Sequence, residues 1–216
     1  MQAFKSNTLK KKPIFITGIG TGIGKTIVSA ILVEKLKADY WKPIQSGDLD
    51  NSDTKLLRSL VSNKLSIFHP EAYRLTQPFS PHKSAALDGI RIELASFILP
   101  ETDNQLIIEG AGGLMVPLNE KDLMIDLIQK LDAEVILVSK NYLGSINHTL
   151  MSAEILKMRA IGISRIVFCG EPDPESENII SAHLQKEIIR IPVFENIDKN
   201  TIREFAAQLD WKELPN

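Results

Sequence analysis

The stretch Gly18-Ile19-Gly20-Thr21-Gly22-Ile23-Gly24-Lys25-Thr26 constrains the fold of this chain more than any other. Before it stands Pro13-Ile14-Phe15-Ile16-Thr17, short, apolar and rich in β-formers; after it, Ile27 to Leu36 repeats apolar residues at helical spacing. Strand, glycine loop and helix in that order build a phosphate cradle. Glycines let successive backbone N–H groups turn toward phosphate oxygens, and the positive end of the helix adds to the same spot. The Lys25 ammonium is placed to reach the β and γ phosphates, and the Thr26 hydroxyl to ligate Mg²⁺. Against the pattern G-x-x-x-x-G-K-[ST] the loop is one residue longer, with Ile19 where glycine is expected and Gly18 one place earlier. A dinucleotide fingerprint fits less well, because Gly18-x-Gly20-x-x-Ile23 lacks the third glycine.

The chain has 216 residues, 44% of them apolar and 24% charged, which suits one soluble domain with a large core. A net charge of −2 gives no electrostatic case for nucleic acid or membrane as partner. The single cysteine, Cys169, excludes an intramolecular disulfide and fits a reducing, cytoplasmic compartment. No apolar run approaches the ~18 residues of a membrane helix. Residues 1–12, with Lys5, Lys10, Lys11 and Lys12, read as a frayed tail, and residues 13–216 as the domain.

Apolar runs and helix-like stretches alternate from there on. Strands are expected at 13–17, 40–44, 106–109, 134–139, 166–169 and 188–193. Helices are expected at 27–36, 53–61 with Ser52 as N-cap, 90–99 ending before Pro100, 122–131, 145–160, 175–186 and 201–209. Residues 62–88, with Pro70, Pro78 and Pro81, read as irregular. Such alternation predicts an α/β fold, a mostly parallel sheet with helices on both faces. Ligands then gather at the carboxyl ends of the strands.

Polar residues follow several of those runs. Glu109 ends the third strand ahead of Gly110-Ala111-Gly112-Gly113. With Asp53 and Thr26 it supplies the hard oxygen ligands that Mg²⁺ prefers. Lys42, between Trp41 and Pro43, is either a surface lysine or a fixed positive charge beside the γ phosphate; Ser46 is either loop chemistry or a ligand contact. At Leu143-Gly144-Ser145-Ile146-Asn147 a helix begins, which suits either a carboxylate ligand or an ordinary cap by Ser145 or Asn147. His82 and His148 have no identifiable partner and receive no proton-transfer role.

Together these motifs resemble the ATP-dependent dethiobiotin synthetases of biotin synthesis. The resemblance covers most of residues 13–200. It rests on Thr17 to Thr26, Lys42 to Gly47 (K-P-x-x-S-G), Asn51 to Asp53, Ser80 to His82, Glu109 to Gly113 and Leu143 to His148 (L-G-x-I-N-H). It implies a single P-loop NTPase-like domain that joins CO2 to 7,8-diaminopelargonic acid. A carbamate attacks the γ phosphate of ATP, and the resulting carbamic–phosphoric anhydride closes to a cyclic urea. By resemblance, Lys25 and Lys42 stabilise the reacting charge, and Thr26, Asp53 and Glu109 bind Mg²⁺. Gly22, Ile23, Gly24 and Ile27 cradle phosphates; Gly110, Ala111 and Gly112 border the site. Thr21 and Ser46 contact the reacting end of the substrate. Leu143, Gly144 and Asn147 hold its distal carboxylate across a homodimer interface. Cys169, Gly170, Pro192, Val193 and Phe194 lie along the nucleotide.

Two positions depart from the family pattern. Where an asparagine often reads adenine, this chain has Cys169 or, with a different gap, Glu171. Neither reproduces the paired donor and acceptor of an amide. An acidic residue after the first loop threonine is replaced by Gly22. Of the competing readings, a partitioning ATPase would carry a lysine five residues before Lys25, where Gly20 stands. An amidotransferase-type synthetase would need a glutaminase domain for which 216 residues leave no room.

Overall fold

A computed structural model describes residues 11–211. Most of the expected frayed tail lies outside the described residues; within them, Lys12 Nζ donates to Asp132 Oδ1 at 2.8 Å.

In chain order the elements are β1 (Ile14–Gly18), α1 (Lys25–Leu36), β2 (Asp39–Trp41), β3 (Ile44–Ser46), α2 (Asp53–Leu60), β4 (Phe68–His69), β5 (Tyr73–Leu75) and α3 (Pro81–Leu87). They continue with β6 (Leu106–Gly113), α4 (Met124–Lys130), β7 (Glu134–Ser139), α5 (Ser145–Met158), β8 (Ile163–Cys169), α6 (Pro174–Leu184), β9 (Ile188–Ile191) and α7 (Lys199–Gln208). A seven-stranded sheet runs β4-β2-β6-β1-β7-β8-β9, and its pairings are parallel. β3 and β5 form a second, two-stranded parallel sheet.

The strand alternation divides the core into two layers. Ile14, Ile16, Ile107, Ile136 and Val138 point to one face, where they pack with Val28, Ile31 and Leu32 of α1 and Ile202 of α7. Phe15, Leu106, Ile108 and Val135 point to the other, against Ile125, Leu127 and Ile128 of α4 and Leu156 of α5. Strands buried on both faces need to be apolar at every position, which is why 14–16 and 135–138 show no polar alternation. This is the expected α/β arrangement with helices on both sides.

The middle of the chain departs from expectation. Residues 90–99 are not an α-helix; they hold only a 3₁₀ turn, Leu94–Ser96, while Ile92 and Phe97 anchor an extended segment in the core. The helix lies earlier, at Pro81–Leu87, in a stretch read as irregular. Proline stands in its first turn, and Gly89 follows it at φ +67°. Apolar residues spaced along 90–99 mimic a helix, but here they mark separate contacts of an extended chain. The second strand also divides at Pro43, whose missing N–H cannot continue a ladder, into β2 and β3. No described helix is long and apolar enough to cross a membrane.

Candidate active site

Because the strands are parallel, the ends of β1, β2 and β6 open on one edge, and the loop from Gly18 to Gly24 crosses it. The loop is held from below: Ile19 N–H donates to the Val138 carbonyl at 3.1 Å, and the Ile23 side chain folds back onto Gly18, where a Cβ would sit 2.2 Å from Ile23 Cδ1. Ile23 is therefore buried and lends the loop its backbone only. Gly24 caps α1 at φ +102°, and a Cβ there would stand 2.8 Å from Cys169 Sγ. A side chain at Gly24 meets both backbone strain and a steric block.

A cavity of about 710 Å³ lies over this edge. It collects thirteen of the residues given a site role from the sequence: Thr21, Gly22, Gly24, Lys25, Thr26 and Ile27 from the loop and α1, Lys42 before β3 and Ser46 at its end, Asp53 from α2, and Glu109, Gly110, Ala111 and Gly112 from β6. Ile23, Cys169, Gly170, Pro192, Val193, Phe194, Leu143, Gly144 and Asn147 do not line it.

Its floor is charged and internally paired. Lys42 is buried, with Nζ 2.5 Å from Asp53 Oδ2 and 3.0 Å from Glu109 Oε1. Burial pulls the Lys42 pKa down, but the two carboxylates outweigh it and raise the value, so the ammonium stays charged. Lys25 is also buried and donates to the Gly20 carbonyl at 2.6 Å. For Lys25 burial prevails: its pKa falls to about 8, with Lys42 adding to the drop and Glu109 and Asp53 opposing it. Ser46 Oγ is buried without a hydrogen-bond partner, although the residue lines the cavity.

Three oxygen donors meet beside these ammonium groups. Thr26 Oγ1 lies 2.9 Å from Glu109 Oε1 and 3.3 Å from Asp53 Oδ1. The described residues hold no cluster of three or more His, Cys, Asp or Glu side chains. One hydroxyl and two carboxylates make an incomplete shell, the arrangement that suits Mg²⁺ shared with waters and phosphate. Two supporting side chains went unread in the sequence. The Tyr40 hydroxyl donates to Glu109 Oε2 at 2.9 Å, and Gln45 Oε1 accepts from the Asp53 N–H at 3.2 Å while its Nε2 donates to the Gly47 carbonyl. Spacing alone does not reveal either contact, since each joins separate elements. Ser52 caps α2 as expected, accepting from the Lys55 N–H at 3.4 Å, and so fixes Asp53 in the first turn.

Away from the cavity, Cys169 ends β8 against Gly24, and burial pushes its thiol up to about 12. Gly170 N–H is already used by the Ile191 carbonyl at 2.9 Å. Phe194 packs edge-on against Phe205, while Pro192 and Val193 are exposed. Gly144 caps α5 at φ +103° with no side chain bonded to the helix start, so neither Ser145 nor Asn147 serves as the cap. Leu143 beside it is fully exposed.

A parallel sheet whose edge carries a glycine loop, a buried loop lysine and a threonine beside two carboxylates defines a P-loop nucleoside-triphosphatase-like protein. Residues 12–201 match the family model described as an AAA domain. Solved structures share the fold at low identity. A ParA family ATPase from Chlorobium tepidum TLS has a TM-score of 0.51 at 17% identity, covering 92% of this chain and all of that one. The MinC:MinD cell division protein complex of Aquifex aeolicus gives a TM-score of 0.54 at 15% identity, covering 95% of this chain and 98% of that one. Sequence relatives are closer. The chain is 52% identical to the ATP-dependent dethiobiotin synthetase BioD of Christiangramia forsetii, over 91% of this chain and 95% of the relative. It is 50% identical to that of Cytophaga hutchinsonii, over 94% and 100%, and 42% identical to that of Chlamydia pneumoniae, over 93% and 90%. The chain belongs to the ATP-dependent dethiobiotin synthetase family, and it is an enzyme of the cyclo-ligase type.

Proposed function

We propose that residues 13–216 form one catalytic domain that converts 7,8-diaminopelargonic acid, CO2 and ATP to dethiobiotin, ADP and phosphate. The observation that carries this reading is the buried Lys42 ammonium, shared between Glu109 and Asp53 on the floor of the cavity that also holds Lys25 and the unpartnered Ser46 hydroxyl. The reaction brings a carbamate anion against a triphosphate, so its main difficulty is negative charge; fixed positive charge and positioning address it.

In this reading Gly22 to Ile27 hold the phosphates, and Lys25 leaves the Gly20 carbonyl for the transferring phosphoryl group. Thr21 and Ser46 orient the reacting amine and carbamate, and Lys42 neutralises the carbamate as its oxygen attacks the γ phosphorus. The neighbouring amine then attacks the carbamoyl carbon, closing the ring and releasing phosphate. Thr26, Asp53 and Glu109 would hold Mg²⁺, which when bound neutralises charge on the phosphates. Cys169, Gly170, Pro192, Val193 and Phe194 lie along the base. The start of α5 at Gly144, which has no side-chain cap bond, receives with Leu143 and Asn147 the distal carboxylate of a substrate bound to the partner in a homodimer. Exposed Tyr142 and Leu143 just before α5, and exposed Met151 on it, offer apolar surface for that contact.

Supplying ¹³C-bicarbonate, diaminopelargonate and ATP tests the reading: labelled dethiobiotin is expected only with all three. Phosphate release that is equal without diamine and bicarbonate would contradict it and favour a nucleotide-driven switch.

A further inference from the structure

The two oxygens of Glu109 face different neighbours. Oε1 accepts from Thr26 Oγ1 at 2.9 Å and from Lys42 Nζ at 3.0 Å, on the cavity side. Oε2 accepts from the Tyr40 hydroxyl at 2.9 Å, away from the cavity. Tyr40 sits on β2, paired in register with Ile107 of β6, so the phenol and the carboxylate come from adjacent strands. It is completely buried, and its ring packs against Phe68 with centroids 6.2 Å apart.

We propose that Tyr40 is a positioning residue that keeps Glu109 Oε2 out of the metal site, so that Glu109 offers Oε1 alone. The proposal rests on the reading of Thr26, Asp53 and Glu109 as the divalent-ion site. Its consequence concerns the choice of ion. Ca²⁺ readily takes a carboxylate through both oxygens, whereas Mg²⁺ keeps a small octahedral shell with one oxygen per carboxylate. A carboxylate with one oxygen held back therefore favours Mg²⁺. Neighbours that orient a ligand in this way affect metal affinity although they never touch the ion.

Binding of a fluorescent, non-hydrolysable ATP analogue to the full chain, titrated with Mg²⁺ and separately with Ca²⁺, tests this in the wild type and in Tyr40→Phe. The wild type is expected to reach half-saturation at lower Mg²⁺ than Ca²⁺. In Tyr40→Phe the Mg²⁺ half-saturation is expected to rise about tenfold and the preference over Ca²⁺ to shrink, with metal-free analogue binding unchanged. In a Glu109→Gln background, Tyr40→Phe should add nothing further, as required if it acts through that carboxylate. Identical Mg²⁺ and Ca²⁺ titrations for wild type and Tyr40→Phe would overturn the proposal alone; analogue binding by the wild type that no divalent ion affects would overturn the metal site with it. Should Tyr40→Phe not fold, a crystal structure of the wild type with Mg²⁺ and the analogue decides. Oε1 alone at the ion, with Tyr40 on Oε2, supports the proposal, and a bidentate Glu109 overturns it.

Discussion

The ends of β1, β2 and β6 and the ends of β8 and β9 lie along one sheet edge but are built from different materials. At the first, the Lys42 ammonium is paired with the Asp53 and Glu109 carboxylates beside buried Lys25, Tyr40 donates to the Glu109 carboxylate, and Gln45 accepts from the Asp53 backbone N–H. At the second, Cys169 is packed into the loop, the Gly170 N–H is used within the sheet, and Pro192 and Val193 present apolar surface. Charge is recognised by groups fixed before any ligand arrives, because ordering them afterwards would weaken catalysis. A base, by contrast, can be held by contact area alone, with little discrimination.

The largest effect expected from this contrast follows Lys42→Ala. Turnover should fall about 10³-fold, as when a preorganised charge in a transition state is removed. The structure adds a cost, because Asp53 and Glu109 lose the cation between them. Unpairing such a buried group costs about 3 kcal/mol. Denaturation without metal should therefore show a clear loss of stability, which Mg²⁺ narrows. A variant as stable as the parent in metal-free buffer would break the pairing claimed for the charged end.

Lys25→Met comes next, with ATP binding weakened about 100-fold, in line with loss of one buried charged partner. Its pH dependence sharpens the point. In the folded chain without ligand the pKa of Lys25 is lowered from 10.5 to about 8, so between those values the unfolded chain binds a proton that the folded chain does not. The contribution of Lys25 to stability therefore rises as pH climbs from about 8 toward 10.5. Phosphate binding needs the charged form, so ATP affinity should fall over the same window. Titrations of stability and of ATP binding in parent and Lys25→Met would both lose these slopes in the variant.

The apolar end should give the smallest effects. Cys169→Ala is expected to leave the KM for ATP within about twofold. ATP should be preferred over GTP or CTP by no more than about tenfold in kcat/KM, the scale of discrimination available without a dedicated hydrogen-bonding pair. A preference above a thousandfold would show a base-reading group that the ends of β8 and β9 do not display.

Much of the charged end was legible in the sequence for a physical reason. Parallel strands deliver their carboxyl ends to one edge, so polar residues that follow apolar runs must meet there, and Lys42 and Glu109 did. Asp53 was legible through its Ser52 cap. Tyr40 and Gln45 were not, because their hydrogen bonds to Glu109 and Asp53 cross between elements and carry no periodic signal. The segment around residues 81–99 misled for a related reason. Pro81 opens a helix, while the apolar residues of 90–99 each dock separately without forming one.

The central claim is that a carbamate oxygen, held by Lys42 and Ser46, attacks the γ phosphorus. In that reaction one oxygen of the released phosphate comes from CO2. Rapid mixing of the enzyme, diaminopelargonate and ATP with ¹⁸O-labelled CO2 in unlabelled water, followed by mass analysis of phosphate, measures it directly. One ¹⁸O per phosphate is the expected result; phosphate that takes its new oxygen from water instead would contradict the account.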